Sequence, residues 1–221
     1  MIVMRDVNLI SNCGGQEITT LKDVNLTIKD GDFIAITDTG SQDKYCLFNL
    51  IGALDVPTSG RVLFEKTDIS AMSERDLEKL RLNKIGFVFK TTFLMPNLTV
   101  RENIEVLLKE AGVPKKERSK RAVEALQRVG MADKKDSFPA DLNTYEQKAV
   151  GIARALANRP KILLVNEPPL NPAPDGRTAV KLLKELNKGG QTIVITTDSF
   201  EVASYAKIKF VIEDGMVKQL D

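Results

Sequence analysis

Histidine does not occur in this 221-residue chain, and its absence closes several routes at once. Without imidazole there is no His general base, no Ser-His or Cys-His nucleophile, and none of the commonest zinc sites. Two cysteines, Cys13 and Cys46, form neither a CxxC pair nor a disulfide framework. They fit a reducing compartment, with a small packing role for each. An excess of one charge is lacking too. With 32 basic and 30 acidic residues the net charge is +2, so the basic stripe that nucleic-acid binding requires is missing and no nucleic-acid partner is expected. No apolar run approaches the roughly 18 residues of a membrane span. The start, MIVMRDVNLI, shows no long apolar stretch behind a basic segment. A cytoplasmic location is therefore expected.

What remains is a balanced globular composition, 43% hydrophobic and 28% charged, long enough for one substantial core with a small appended subdomain. The first 36 residues read as strands. Apolar residues alternate through Leu21, Val24, Leu26 and Ile28, and Lys29-Asp30-Gly31-Asp32 turns the chain into the buried run Phe33 to Ile36. Helical spacing over Lys44 to Leu54 predicts a helix, and Pro57-Thr58-Ser59-Gly60 a turn into a strand from Arg61 to Phe64. Ser73 with Asp76 opens a short helix to Leu82, and Lys84 to Phe89 reads as a further strand.

From Val100 to about Pro160 the apolar spacing is helical, on Ala122, Val123, Leu126 and Val129 and again on Ala149, Ile152, Ala153 and Leu156. Residues 91–159 are thus expected to be a helical subdomain, inserted into a core of 1–90 and 160–221. That core resumes with a strand at Ile162 to Val165, a helix over about 177–187 and a strand at Thr192 to Thr196. A helix from Phe200 to Tyr205 and a hairpin turning at Asp214-Gly215 complete it. Continuous apolar strands separated by helices predict an α/β fold with a mainly parallel sheet, preceded by antiparallel strands.

The segments LDVPTSGRV, KIGFVF, NLTVRENI and IARALANRPKILLV, in this order and spacing, resemble the ATPase subunits of ABC transporters. The lipoprotein-releasing and macrolide-efflux branch is the most similar, and the likeness runs over essentially the whole chain. The resemblance implies a RecA-like core of the P-loop type and a helical subdomain. It also implies ATP and Mg2+ as cofactors, and a head-to-tail homodimer or heterodimer with another nucleotide-binding subunit. A membrane subunit is the implied partner, with the chain peripheral at the inner face of the cell membrane.

Measured against the family's motifs, this sequence departs at the positions that carry chemistry. A GxxxxGK[ST] loop needs glycines so that backbone N–H groups can turn inward, a lysine charge and a magnesium hydroxyl. The matching run is Asp38-Thr39-Gly40-Ser41-Gln42-Asp43-Lys44-Tyr45-Cys46. Gly40, Ser41 and Lys44 are the candidate cofactor-binding residues, while Asp38 and Asp43 occupy glycine positions. A carboxylate about 4 Å from a phosphate costs roughly 4 kcal/mol at an effective dielectric of about 20. The loop reads either as an emptied phosphate pocket or as an ordinary strand-to-helix turn in which Lys44 pairs with Asp38 or Asp43.

At the LSGGQ signature stands Leu142-Asn143-Thr144-Tyr145-Glu146, with both glycines gone and Glu146 read as a negative charge facing an anion. The acidic motif is Leu164-Val165-Asn166-Glu167-Pro168. Glu167 stands at the catalytic base and is otherwise a solvated loop residue, and Asn166 is a poor hard-cation ligand. Lys90, Asp198 and Ser11 replace the family's glutamine, histidine and adenine-stacking aromatic, and the loop Leu170-Asn171-Pro172-Ala173 lacks its terminal aspartate.

The expected function is a structural or regulatory subunit that docks on a membrane partner without hydrolysing ATP, with no resident metal and no tightly bound cofactor. An ATPase working through Lys44 and Glu167 is the alternative, and a soluble interaction module is a third. A groove around Phe93, Leu94, Met95 and Pro96 separates the third from the first, although those residues also read as subdomain core.

Overall fold

Successive residues of a buried strand face opposite sides of its sheet, and this chain fills both sides. The computed structural model describes residues 1–13, 16–40, 43–170 and 178–220. In chain order, β1 (Ile2–Cys13) and β2 (Gln16–Ile28) form an antiparallel pair, followed by β3 (Phe33–Asp38) and helix α1 (Asp43–Ile51). The strands β4 (Ser59–Phe64) and β5 (Thr67–Asp68) come next, then α2 (Glu74–Lys84) and β6 (Ile85–Val88). Three α-helices lie between β6 and the next strand: α3 (Val100–Glu110), α4 (Lys115–Arg128) and α5 (Thr144–Leu156). The chain closes with β7 (Ile162–Asn166), α6 (Ala179–Lys188), β8 (Thr192–Thr196), α7 (Phe200–Ala203), β9 (Ile208–Glu213) and β10 (Met216–Leu220).

Two sheets result. One is antiparallel, in the order β2-β1-β4-β5; the other has six strands, in the order β10-β9-β3-β8-β7-β6. In the second, β9, β3, β8, β7 and β6 run parallel and only β10 is antiparallel, so the α/β class and the mixed sheets agree with the sequence pattern. Alternation divides the parallel strands between two cores. Ile34, Ile36, Leu164 and Val194 pack with the antiparallel sheet and α1. Ala35, Leu163, Val165, Ile193 and Ile195 pack on the other face with α3 to α7. Strands that are apolar on both sides are what a doubly covered parallel sheet demands.

Local chemistry sets the helix ends. Thr99 and Glu102 form a reciprocal capping box on α3, the Thr hydroxyl accepting from the Glu102 amide and the Glu carboxylate from the Thr99 amide. Helix α1 stops at Ile51, short of the predicted Leu54. Ala53 adopts a left-handed φ of 52°, and the Leu54 amide reaches back to Asn49 O at 2.9 Å, a C-terminal cap that ends the helix. Helix α7 is also shorter than predicted, because Tyr205 and Ala206 donate to Val202 O and Ala203 O in tighter three-residue turns.

Candidate functional site

The parallel order explains why distant residues meet. Strands β3, β8 and β7 are adjacent, so the residues at and beyond their C-terminal ends, Asp38, Asp198 and Glu167, arrive together at one sheet edge. Lys44, in the first turn of α1, points into that edge with only 2% exposure. Its Nζ donates to Asp38 Oδ1 at 3.2 Å and Asp198 Oδ1 at 2.5 Å, and lies 4.0 Å from Glu167 Oε1. Burial pulls the Lys44 ammonium down, but the bonds to Asp198 and Asp38 outweigh it and hold the group above its ordinary value. The Asp198 carboxyl is held below its ordinary value, first by its bond to Lys44. Lys44 thus pairs with Asp38, one of its two sequence candidates, and with Asp198, which sequence spacing did not suggest.

Asp38 is itself enclosed, with a side chain that is 0% exposed. Oδ1 also accepts from the Gly40 amide at 3.1 Å, and Oδ2 from the Lys44 amide at 3.2 Å. Gly40 has a φ of 102°, a conformation that glycine adopts without a Cβ penalty. Ser41, the other candidate of this loop, lies outside the described residues, as do Asn171, Pro172 and Ala173.

Glu167 follows β7 with a left-handed φ of 47°, its amide bonded to Thr196 O at 2.9 Å. Its side chain is 14% exposed and its carboxylate is held on both oxygens: Oε1 accepts from the Tyr45 hydroxyl at 3.2 Å and Oε2 from the Asp198 amide at 3.3 Å. Burial, then the Glu167 charge, push the Tyr45 phenol up, and its ring lies 4.6 Å from Lys44 Nζ. Asn166 Oδ1 accepts from Thr196 Oγ1 at 3.2 Å. Ser11 Oγ lies 3.3 Å from Thr20 Oγ1 across the β1–β2 pair.

Glu146 has a local role in addition to its place in the signature segment: its carboxylate accepts the Asn143 amide at 2.9 Å while Asn143 Oδ1 accepts the Glu146 amide at 2.9 Å. The pair is the capping box of α5, and its signal, an N-cap residue three positions before a Glu, is present in the sequence. Lys148, on the same helix, carried no motif and was not anticipated. It is buried and donates to Phe89 O and Lys90 O, both at 2.8 Å. Burial alone brings its ammonium down to about 8. With Lys90, Thr92, Glu167, Leu170 and Thr197 it lines a cavity of about 540 Å³.

Of the residues expected around a groove, Phe93 is 71% exposed and Met95 is exposed, while Leu94 packs against the core. A separate cavity of about 520 Å³ is lined by Leu54, Arg81, Phe87, Phe89, Leu107 and Arg154. The Phe87 and Phe89 rings stack with centroids 5.6 Å apart and an interplanar angle of 2°.

The ABC transporter family model matches residues 21–169. The chain belongs to the ABC transporter family. Two curated relatives agree with the branch read from the sequence. The lipoprotein-releasing system ATP-binding protein LolD of Aquifex aeolicus is 35% identical over 216 residues, covering 97% of this chain and 96% of LolD. The macrolide export ATP-binding/permease protein MacB 2 of Aeromonas hydrophila is 35% identical over 220 residues, covering 99% of this chain and 34% of its own length. This ABC transporter chain therefore spans about a third of that relative. Among solved structures, the dimeric post-hydrolysis state of the ATP-binding cassette MJ0796, bound to ADP and Pi, superposes with a TM-score of 0.85. It is 34% identical and covers 100% of this chain and 99% of its own. As an ABC transporter nucleotide-binding domain the chain has, among the described residues, no helix long and apolar enough to cross a membrane.

Proposed function

We propose that this nucleotide-binding domain serves its transporter as a structural or regulatory subunit that does not hydrolyse ATP. The observation that carries the reading is the capture of Lys44 by Asp38 and Asp198, with Glu167 at 4.0 Å. A phosphate group brought to that ammonium meets carboxylates already bound to it. One such contact at about 4 Å costs roughly 4 kcal/mol at an effective dielectric of about 20, nearly three orders of magnitude in affinity. The residues present do not fit a magnesium–nucleotide complex: the amides of Gly40 and Lys44 are spent on Asp38, Tyr45 replaces a hydroxyl ligand, and Asn166 bonds Thr196.

Partner binding fits the same reading. We take residues 91–159 as the helical unit and the groove of Phe87, Phe89 and Leu107 beside it as the seat for a membrane subunit. The MJ0796 cassette is dimeric, which supports pairing with a second such subunit. Altered phosphate-loop and signature residues on this chain would compromise both composite sites of a mixed dimer. The test is phosphate release and titration calorimetry with Mg-ATP at millimolar concentration, beside Lys44→Ala and Glu167→Gln. No saturable heat and no turnover are expected. Turnover that Glu167→Gln abolishes would establish the ATPase reading instead.

A further inference from the structure

Three donors from the strand–loop–helix turn converge on one buried carboxylate: the Gly40 amide, the Lys44 amide and the Lys44 ammonium, at 3.1, 3.2 and 3.2 Å from Asp38 oxygens. Those are the types of donor that a turn of this kind offers to an oxyanion. The Asp38 side chain that accepts them is 0% exposed. Asp198 differs in kind. Its side chain is 68% exposed, it comes from the segment after β8, and it reaches Lys44 Nζ from outside the turn. Glu167 is held elsewhere, by Tyr45 and the Asp198 amide. Of the three carboxylates around Lys44, Asp38 is the one that accepts from the Gly40 and Lys44 amides.

We propose that Asp38 is an autoinhibitory internal anion: it fills the cradle formed by Gly40 and Lys44, and its removal converts that cradle into a receptor for a phosphate-class oxyanion. The proposal rests on the non-hydrolysing reading and adds a cause to it. In this view the amides of Gly40 and Lys44 are closed by one side chain, and Asp198 and Glu167 remain beside Lys44 Nζ when it is removed. Lys44 stays buried and charged, and the two amides remain aimed at a common point. A shorter neutral residue at position 38 leaves the donors without an acceptor inside the turn, which favours an external anion of matching size and charge.

The experiment uses inorganic pyrophosphate without magnesium as the probe, titrated calorimetrically into the full-length wild type, Asp38→Gly, Asp38→Ser and the double variant Asp38→Gly/Lys44→Met. Folding of each is checked by far-UV circular dichroism and a cooperative melt. The expected result is no saturable heat in the wild type. Both single variants should bind roughly tenfold or more tightly than the wild type, with a rise in melting temperature on adding pyrophosphate, and the double variant should return to wild-type behaviour. Asp38→Ser keeps the test available if Asp38→Gly does not fold. Folded single variants that bind no better than the wild type overturn the proposal, as does binding that survives Lys44→Met. These failures are distinct from failure of the functional reading. Mg-ATP turnover by the wild type overturns that reading, whereas an inert wild type with equally inert variants overturns only the role given to Asp38.

Discussion

Lys44 Nζ and Asp198 Oδ1 meet at 2.5 Å although 154 positions separate them in the chain. The contact is lopsided, since Lys44 is buried and the Asp198 side chain is 68% exposed. Asp198→Ala leaves Lys44 its Asp38 partner and opens a site that water already reaches, so it should cost only about 1 kcal/mol. Lys44→Met strands the enclosed Asp38 carboxylate with amide donors alone, and breaking a buried pair on one side costs about 3–5 kcal/mol. Urea denaturation of both variants measures the difference. Equal losses would refute the enclosed pairing of Asp38 with Lys44.

Lys148 supplies a pH dependence. Its ordinary amine value is 10.5, and burial lowers it to about 8 in the folded chain. Between those values the unfolded chain holds a proton that the folded chain has released. The unfolded state then binds more protons, and stability rises with pH across that window. Below about 8 both states are protonated and this group adds no slope. Relative to Lys148→Met, the wild type should gain on the order of 2–3 kcal/mol as pH rises through the window. Lys44 and Tyr45 titrate in both proteins and cancel in the difference. Stability curves that stay parallel over the window would refute the burial of the Lys148 ammonium.

The strands and helices were legible because their signals are local. Val194 and Ile195 alternate between two cores, and Thr99 with Glu102 announces the start of α3. The site was legible only in part. Lys44, Gly40 and Glu167 stand out by motif, and Asp38 lies within hydrogen-bond reach of Lys44 along the chain. What Asp198 does depends on β8 lying between β3 and β7, a strand order that no local pattern encodes. Glu146 was read by its place in the signature segment, while its spacing from Asn143 also encodes the capping box that the structure shows. Lys148 was invisible because an apolar helix face carrying one lysine reads as solvated, and only packing shows that two carbonyls enclose its ammonium.

Gly151 offers a test of how tightly α5 is joined to the segment after β6. A Cβ there would come within 2.5 Å of Thr92 Cγ2. The backbone of that segment cannot easily yield, because Arg154 on the same helix donates to Thr92 O at 2.6 Å and Phe93 O at 3.0 Å. Gly151→Ala should therefore destabilise by about 1–3 kcal/mol through overpacking, despite the roughly 1 kcal/mol that alanine gains over glycine inside a helix. Thr92→Ser removes the clashing methyl. In that background the helix-propensity gain should emerge and Gly151→Ala should become neutral or stabilising, giving a coupling of about 1–3 kcal/mol in a double-mutant cycle. Gly86→Ala is the control, because its Cβ would meet the Ala155 carbonyl oxygen at 2.7 Å. That clash is with backbone, so Thr92→Ser should not relieve it. Additivity of Gly151→Ala and Thr92→Ser to within about 0.5 kcal/mol would show that the helix can shift away, and that the Arg154 bonds do not fix the spacing.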